Sequence, residues 1–254
     1  MNTHHLNIDS VRRHFPNRQI SFFESITSTM HEAAALSAAG CASGTAVVAE
    51  EQTAGQGRHG HSWHSEPGAG LYVSVILRLP LPTDTLPVVT LALGLATAEA
   101  VSRATGLDPD LRWPNDIMLG DRKTAGILVQ LIDSAAIAGI GINVNHPAFP
   151  PEIATEATSL RLASGHPHSR EDLLVSLLQA IDSFSRMLVE GGRQPILDLF
   201  ARRSSYASGK RVQIDQPGGP VTGTTAGLDP SGFLKLRADD GSESLILAGG
   251  VRPA

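Results

Sequence analysis

The chain has 254 residues, a formal net charge of −5 at neutral pH, 41% hydrophobic residues and a single cysteine. This length suffices for one large core with a small appended module, or for two modest domains. The slightly negative net charge argues against a surface that binds nucleic acid, because such a surface would need an excess of basic residues. The lone Cys41 excludes an intrachain disulfide framework and is compatible with a reducing compartment.

The N-terminal segment does not resemble a secretion signal. Residues 1–10 lack a basic start followed by an apolar core, and we find no run of about eighteen apolar residues of the kind that a membrane helix needs. We therefore expect a cytoplasmic protein that has neither a membrane nor a nucleic acid as its partner.

The first third of the chain predicts alternating strands and helices. A short strand at 20–24 precedes Thr29-Met30-His31-Glu32, which has the pattern of a capping box with Thr29 as the N-cap. The helix predicted from it covers 29–39 and stops at Gly40. Strands at 45–50 and 71–79 follow, and then a long Ala/Leu helix from Pro87 to Ala104.

The remainder predicts a central hairpin, two helices and a small β domain. The hairpin strands are 126–131 and 136–144, and residues 146–168 are expected to form a surface loop. Ser169 is predicted to cap a helix ending near Glu190, and Pro195 to begin another ending near Arg203. Short strands at 210–215, 220–226, 233–237 and 244–247 indicate a small β barrel. We place the boundary between domains 1–206 and 207–254.

A glycine-rich loop separates the second and third strands. Its glycines allow backbone amides to approach an anion closely. The loop sequence also matches the dinucleotide-binding motif G-x-G-x-x-G. That motif requires a following helix and an acidic residue about twenty positions later, and both are lacking, so we expect the loop to join two strands. Arg58 could clamp a phosphate or carboxylate, or be a solvated surface arginine. The loop reads Gly55-Gln56-Gly57-Arg58-His59-Gly60.

Three histidines in or after this loop raise the question of a metal site. His59, His61 and His64 have a spacing that is weak evidence for one, and no acidic partner set accompanies them. We interpret them as solvent-facing and assign no protein ligand set for a metal.

A second polar cluster lies about sixty residues later. Pro114 fixes a turn that could hold Asn115 and Asp116 at a site, although turn formation alone would also explain them. Lys123 follows at the mouth of an apolar strand, where it is either a site cation or a solvated turn lysine.

Taken together, the loop, Arg112-Trp113-Pro114-Asn115-Asp116 and Lys123-Thr124-Ala125-Gly126 resemble the active site of biotin protein ligases. The resemblance implies an α+β fold with a biotin/lipoate-ligase-like mixed sheet, flanking helices and a C-terminal SH3-like barrel. It implies ATP- and Mg²⁺-dependent attachment of biotin to a lysine of a biotin carboxyl carrier protein, through biotinyl-5′-AMP. The state of assembly is expected to be a monomer or a homodimer.

The resemblance also assigns residues. Lys123, Arg58 and Asp116 are the expected catalytic residues, with Lys123 at the biotin carboxyl and α-phosphate and Asp116 at the acceptor lysine. The biotin-binding set is Ser28, Thr29, Met30, Gln52, Gln56, Gly57, Arg58, Lys123, Gly126 and Gly139. The ATP-binding set is Arg58, Trp63, Arg112, Asn115, Lys123 and Asn143.

The sequence departs from the family pattern in three places. Gln56, His59 and His61 stand where the loop of these ligases often has arginine. Met30 takes a place often held by asparagine, and Arg112 one usually held by lysine.

Two alternatives remain open. A lipoate ligase or octanoyl transferase of the same superfamily would lack this loop and turn in this arrangement. A biotinyl-AMP-sensing regulator would carry a helix-turn-helix before the catalytic domain, and only about twenty residues precede the first predicted strand.

Overall fold

A computed structural model describes residues 5–216 and 219–254, which form two β-sheets with helices packed on the larger one. The helices are α1 Ile8–His14, α2 Thr29–Ala38, α3 Leu86–Thr105, α4 Leu160–Ser164, α5 Arg170–Gly191 and α6 Arg193–Arg203. The strands are β1 Ile20–Ile26, β2 Ala46–Gln52, β3 Gly70–Leu77, β4 Asp110–Arg112, β5 Asp116–Leu119, β6 Arg122–Ile132, β7 Ala135–Asn143, β8 Ser208–Ile214, β9 Val221–Leu228, β10 Leu234–Arg237, β11 Glu243–Ile246 and β12 Val251–Pro253.

The larger sheet is mixed, as predicted. Its seven strands lie in the order β1-β2-β3-β7-β6-β5-β4. The pair β1–β2 is parallel, whereas the other neighbouring pairs are antiparallel. The hairpin β6–β7 is therefore near the middle of the sheet. Strand β6 extends beyond the predicted run at both ends, whereas β7 begins and ends one residue before the predicted strand.

The two faces of this sheet differ, because side chains alternate along each strand. In β7, Ala138, Ile140 and Ile142 belong to the main core, which includes the buried residues of α3, α5 and α6. Ile137 belongs to a smaller cluster with Met30 of α2. One face is thus covered by the long helices, and α2 covers only part of the other, which leaves room on that face for a site.

Helix α2 begins at Thr29, one residue earlier than a capping box with Thr29 as the N-cap would imply. The N-cap is Ser28, whose hydroxyl accepts a hydrogen bond from the amide of Met30 at 3.3 Å. The Thr29 hydroxyl instead lies 3.0 Å from Gln52 Oε1 and 2.8 Å from Ser74 Oγ. The prediction was wrong because both residues are good N-caps, and only the tertiary partners of Thr29 distinguish them.

Helix α3 corrects the expectation that no segment is long and apolar enough to cross a membrane. Residues 83–105 pass that test, with a mean hydropathy of 1.5 over the best window. However, 72% of that window is buried inside the fold. An apolar helix packed between a sheet and other helices is a core helix.

A buried ion pair joins β2 to the start of α5. Arg170 Nη1 lies 2.7 Å from Glu50 Oε1, and both side chains are at most 5% exposed. The Glu50 carboxylate also accepts hydrogen bonds from the amides of Leu6 and Gly68. This one carboxylate therefore fixes the chain before α1, the segment before β3 and the first turn of α5.

Five strands form the smaller sheet, in the order β11-β10-β9-β8-β12 and antiparallel throughout. Four of them match the predicted strands, and β12 was not anticipated. The indole of Trp113 donates a hydrogen bond to the carbonyl of Gly232 at 2.9 Å. This bond attaches the C-terminal sheet to the turn between β4 and β5.

Candidate active site

The floor of the candidate site is built from three glycines on the face of the sheet that carries α2. Gly126 and Gly141 are direct partners across β6 and β7, and Gly139 lies two positions before Gly141. A Cβ on Gly141 would stand 2.6 Å from Trp63 Nε1, and one on Gly139 would stand 2.7 Å from Met30 Sδ. These three residues, here called the glycine floor, let large side chains lie directly on the backbone.

Trp63 lies on the glycine floor. A Cβ on Gly126 would stand 2.9 Å from its indole and 3.2 Å from Lys123 Nζ. The Trp63 amide donates to the carbonyl of Gly55 at 2.9 Å, which ties the ring to the glycine-rich loop. Its indole nitrogen is buried without a hydrogen-bond partner within residues 5–216 and 219–254. A buried unpaired donor costs about 1–3 kcal/mol, so this N–H would favour a ligand acceptor.

Lys123 is held beside this ring by its backbone. Its amide donates to the carbonyl of Glu156 at 2.7 Å, and its carbonyl accepts from the amide of Thr158 at 2.9 Å. Its ammonium lies 5.6 Å from the centre of the Trp63 ring, a cation–π geometry. The same nitrogen is 2.6 Å from Asp116 Oδ1, and both side chains are about one-third exposed. Two of the predicted catalytic residues therefore form an ion pair.

Arg58 reaches the same place from the loop. It begins a short 3-10 turn, Arg58–Gly60, and its Nη1 donates to Asn115 Oδ1 at 3.0 Å. Asn115 Nδ2 donates in turn to the carbonyl of Ile127 at 2.8 Å. Burial lowers the pKa of Arg58, and the charge of Asp116 acts in the opposite direction. The predicted loop cation is thus partly desolvated and bound to the predicted turn.

The start of α2 supplies a polar wall. Gln52 Oε1 accepts hydrogen bonds from the amide and hydroxyl of Thr29, at 2.9 and 3.0 Å. The Thr29 hydroxyl also contacts Ser74 of β3. The side chain of Met30 continues this wall and packs against Gly139. The predicted ring-binding residues therefore form one hydrogen-bonded group beside the glycine floor.

The loop itself forms a small hairpin that leaves Gln56 exposed. Gly57 donates from its amide to the carbonyl of His61 at 2.7 Å. Gln56 Nε2 lies 2.9 Å from His31 Nε2 of α2. His61 is exposed, as expected. The side chain of His59 lies outside the described part of the structure.

His64 differs from the prediction of a solvent-facing histidine. Its ring is half-buried and packs against His146 and Phe149, with ring centroids 5.7 and 6.4 Å apart. The sequence could not indicate this contact, because residues 146 and 149 belong to a loop that follows a different strand.

Two residues that we predicted to bind ATP have protein partners in the structure. The guanidinium of Arg112 is buried and stacks 4.2 Å above the ring of Tyr206, at the junction with the C-terminal sheet. Asn143 is buried at the end of β7, and its Nδ2 donates to the carbonyl of Thr158 at 3.1 Å. The roles of both side chains toward ATP stay predictions.

A cavity of about 210 Å³ opens beside Arg58. Its lining includes Pro87 and Thr90 of α3, Pro114 of the turn, and Phe233, which directly precedes β10 of the C-terminal sheet. The cavity therefore lies where the loop, the turn and the C-terminal sheet meet.

Three residues that lie at the site, Gly141, Ser74 and His31, were not among the predicted site residues. Gly141 had a signal, since Gly139 and Gly141 alternate with Ile140 and Ile142 and must share one face of a strand. Ser74 interrupts an apolar run in β3, which also signals a polar contact. Nothing in the sequence indicated the partner of His31.

The N-terminal part of the chain matches a known family model. Residues 22–146 match the Biotin/lipoate A/B protein ligase family, and residues 207–251 match the Biotin protein ligase C terminal domain. A biotin–[acetyl-CoA-carboxylase] ligase of Mycobacterium tuberculosis is 31% identical over 239 residues, which cover 92% of this chain and 88% of that protein. The chain belongs to the biotin protein ligase family.

Bifunctional and structural relatives agree with that assignment. The bifunctional ligase/repressor BirA of Bacillus spizizenii is 35% identical over 232 residues, covering 88% of this chain and 70% of the relative. A biotin protein ligase from Aquifex aeolicus, solved in complex with biotin and ATP, superposes with a TM-score of 0.83 at 30% identity. That match covers 93% of this chain and 99% of the other.

Proposed function

We propose that this protein is a biotin–[biotin carboxyl carrier protein] ligase that works through biotinyl-5′-AMP. The observation that carries the proposal is the convergence of Lys123, Trp63 and Asp116 beside the glycine floor, with Lys123 Nζ 2.6 Å from Asp116 and 5.6 Å from the Trp63 ring. Membership of the biotin protein ligase family, and the biotin and ATP bound to the Aquifex relative, support the choice of substrates.

In the first step, the biotin carboxylate attacks the α-phosphorus of ATP and pyrophosphate leaves. Two anions must approach each other, so positioned cations lower the barrier most effectively in a partly dry site. Lys123 and Arg58 are the cations that flank the Trp63 ring and the turn. Mg²⁺ is counted with ATP as the substrate complex, because this ion binds largely through substrate phosphates.

In the second step, the amine of the acceptor lysine attacks the acyl carbon and AMP leaves. The amine must lose a proton, and a carboxylate within reach can accept it or orient the nucleophile. Asp116 is the carboxylate of the turn, and its ion pair with Lys123 keeps it next to the expected acyl phosphate.

The polar wall and the glycine floor suit the fused ureido ring of biotin. Ligand pockets combine apolar walls with a few well-placed polar groups. Thr29 and Gln52 supply hydroxyl and amide groups, Met30 and Trp63 supply apolar surface, and Gly126 allows close backbone approach. We extend the biotin-binding set of the sequence analysis by Ser74 and Gly141.

We further propose the division into a catalytic domain, 1–206, and a C-terminal domain, 207–254. A cytoplasmic location, a carrier domain as acceptor, and a monomer or homodimer complete the proposal. The single, half-buried Cys41 is compatible with such a compartment.

The test is to incubate the protein with biotin, Mg·ATP and a biotin carboxyl carrier domain, and to measure the mass of the carrier. The expected result is one added biotinyl group, which is absent when ATP is omitted. Lipoate and octanoate serve as competing acids in parallel reactions. Acylation of a carrier by either of these in preference to biotin would contradict the proposed substrate.

A further inference from the structure

Three side chains of types that can ligate a metal ion lie close together, and none of them belongs to the Lys123–Asp116 pair or the polar wall. His64, Glu66 and His146 each present one ligand atom, and these three atoms lie within 4.8 Å of one another. His64 and Glu66 belong to the segment between the glycine-rich loop and β3, whereas His146 follows β7. The cluster therefore bridges two segments that are far apart in the sequence.

His146 is unusual for a buried histidine. Its side chain is fully buried, and neither ring nitrogen has a hydrogen-bond partner in the described ranges 5–216 and 219–254. Its ring stacks on Phe149 at 5.1 Å and faces His64 at 5.7 Å. Buried polar groups normally have a hydrogen-bond partner, because an unpaired buried group costs free energy. The two unpaired ring nitrogens of His146 therefore indicate that this ring is suited to bind a ligand.

Two imidazoles and one carboxylate are a recognised set for a transition metal. Zn²⁺ binds neutral histidine at about 2.0–2.1 Å and carboxylate oxygen at about 2.0–2.2 Å, and His₂Glu sets leave a fourth position for water. Such bond lengths require ligand atoms no more than roughly 4 Å apart. The Glu66 side chain is exposed and the His64 side chain is half-buried, so changes of their torsions can bring the ligand atoms within this range.

We propose that His64, Glu66 and His146 bind one transition-metal ion, with Zn²⁺ as the best fit. This site is separate from the Mg²⁺ that enters with ATP, which prefers oxygen ligands. The ion fastens the segment after the glycine-rich loop to the chain that follows β7. Because His64 follows Trp63 directly, the ion also restricts the movement of the ring on the glycine floor.

The position of the segment supports this role. Gly68, two residues after Glu66, donates its amide to Glu50 at 2.7 Å, and Asn145, next to His146, donates its amide to the carbonyl of Ala69 at 2.6 Å. The backbones on both sides of the cluster are therefore already fixed, and binding requires only that side chains adjust.

The experiment measures metal binding directly and does not depend on ligase activity. The full-length protein is freed of metal with a chelator, titrated with Co²⁺ while its visible absorption is recorded, and then titrated with Zn²⁺. One equivalent of four-coordinate Co²⁺, displaced by one equivalent of Zn²⁺, is expected. An absence of stoichiometric binding to the wild-type protein would overturn the proposal.

Matched variants locate the ion. His64→Gln and Glu66→Gln should each weaken Zn²⁺ binding by roughly 100-fold or more, because the loss of even an outer-sphere partner costs 10–100-fold. His146→Phe keeps an aromatic ring against Phe149 and should have the same effect. The controls are His61→Gln, which removes a nearby exposed histidine, and His166→Gln, which disrupts the His166–His168 ring pair.

We expect the two control variants to bind Zn²⁺ with wild-type affinity and the variants of the cluster residues to bind it much more weakly. If His64→Gln and Glu66→Gln retain wild-type affinity, the ion is bound elsewhere and the proposal is wrong. These two variants decide the question even if His146→Phe does not fold, since their side chains are not fully buried.

Discussion

The ammonium of Lys123 and the carboxylate of Asp116 lie 2.6 Å apart, so the residue we assign to activation and the residue we assign to transfer neutralise each other before substrates bind. At this exposure an ion pair contributes only about 0–1 kcal/mol to stability. Its significance is therefore functional. In the proposed mechanism, an arriving α-phosphate competes with Asp116 for the lysine, and once Lys123 turns to the phosphate, Asp116 is free for the acceptor amine.

Lys123→Ala should reduce the rate of biotinyl-AMP formation by about 100-fold or more, because it removes a cation from the phosphate that reacts. The free energy of unfolding should change by less than about 1 kcal/mol, since a partly exposed pair is lost. Pyrophosphate release and urea denaturation are the measurements. Arg122→Ala, at the exposed neighbouring position, is the matched control; pyrophosphate release by Lys123→Ala at the control rate would refute the assignment.

Asp116→Asn should slow transfer to the carrier more than activation. A general base contributes about 10²–10⁴-fold, and its amide isostere cannot accept the proton. Activation should stay within a few-fold, because Lys123 keeps its charge and loses only its competitor. Single-turnover transfer from preformed biotinyl-AMP, compared with pyrophosphate release, separates the steps. Equal slowing of both would mean that Asp116 serves the nucleotide or the fold.

Arg58→Gly should release biotinyl-AMP faster. The arginine links the loop to Asn115, and a hydrogen bond to a charged group is worth about 1.5–3 kcal/mol, so we expect release to accelerate about tenfold or more. Rapid dilution of the loaded enzyme measures the rate, and labelling of bystander lysines on an unrelated protein reports the escaped intermediate. An unchanged release rate would leave the arginine without this function.

Gly141→Ala should displace Trp63. The added Cβ would lie 2.6 Å from the indole nitrogen, a distance that requires the ring to move. We expect a shift in tryptophan fluorescence, at least a tenfold weaker binding of ATP, and a loss of about 1–3 kcal/mol in stability from overpacking. Gly94→Ala, where the Cβ would be 3.7 Å from its nearest neighbour, is the control. Normal ATP affinity in Gly141→Ala would show that Trp63 does not need its present position.

We also expect that the protein does not bind operator DNA. Its net charge is −5, and even non-specific binding draws its energy from the neutralisation of phosphates. Fluorescence anisotropy with DNA from its own biotin-gene promoters at low salt, with and without biotin and ATP, is the measurement. Sequence-selective binding that depends on ligand would contradict this prediction.

The sequence predicted most of the fold where the pattern was long and regular. Helices α3 and α5 and the hairpin β6–β7 have apolar periodicity over many residues, together with caps such as Ser169 and Gly106. Helices α1 and α4 and the strands β4, β5 and β12 were missed because each has only 3–7 residues, and α4 lies within the segment 146–168 that we predicted to be a loop. Short elements of this kind depend on tertiary contacts that no local pattern records.

The candidate site was predicted from family motifs more than from local chemistry. The sequence placed Lys123, Arg58 and Trp63 in one site, but it could not indicate the pairing of Lys123 with Asp116 or of Arg58 with Asn115. Those contacts depend on side-chain directions across neighbouring strands. His64 is the clearest failure, since its partner His146 is reached only through the pairing of β3 with β7.

The hydrogen bond from Trp113 to Gly232 joins residues 119 positions apart. During synthesis, the turn that carries Asn115 and Asp116 emerges from the ribosome long before the carbonyl that completes it. A nascent chain can therefore contain Arg58, Asp116 and Lys123 while the turn between β4 and β5 still lacks one anchor. Completion of the site is in this respect tied to completion of the chain.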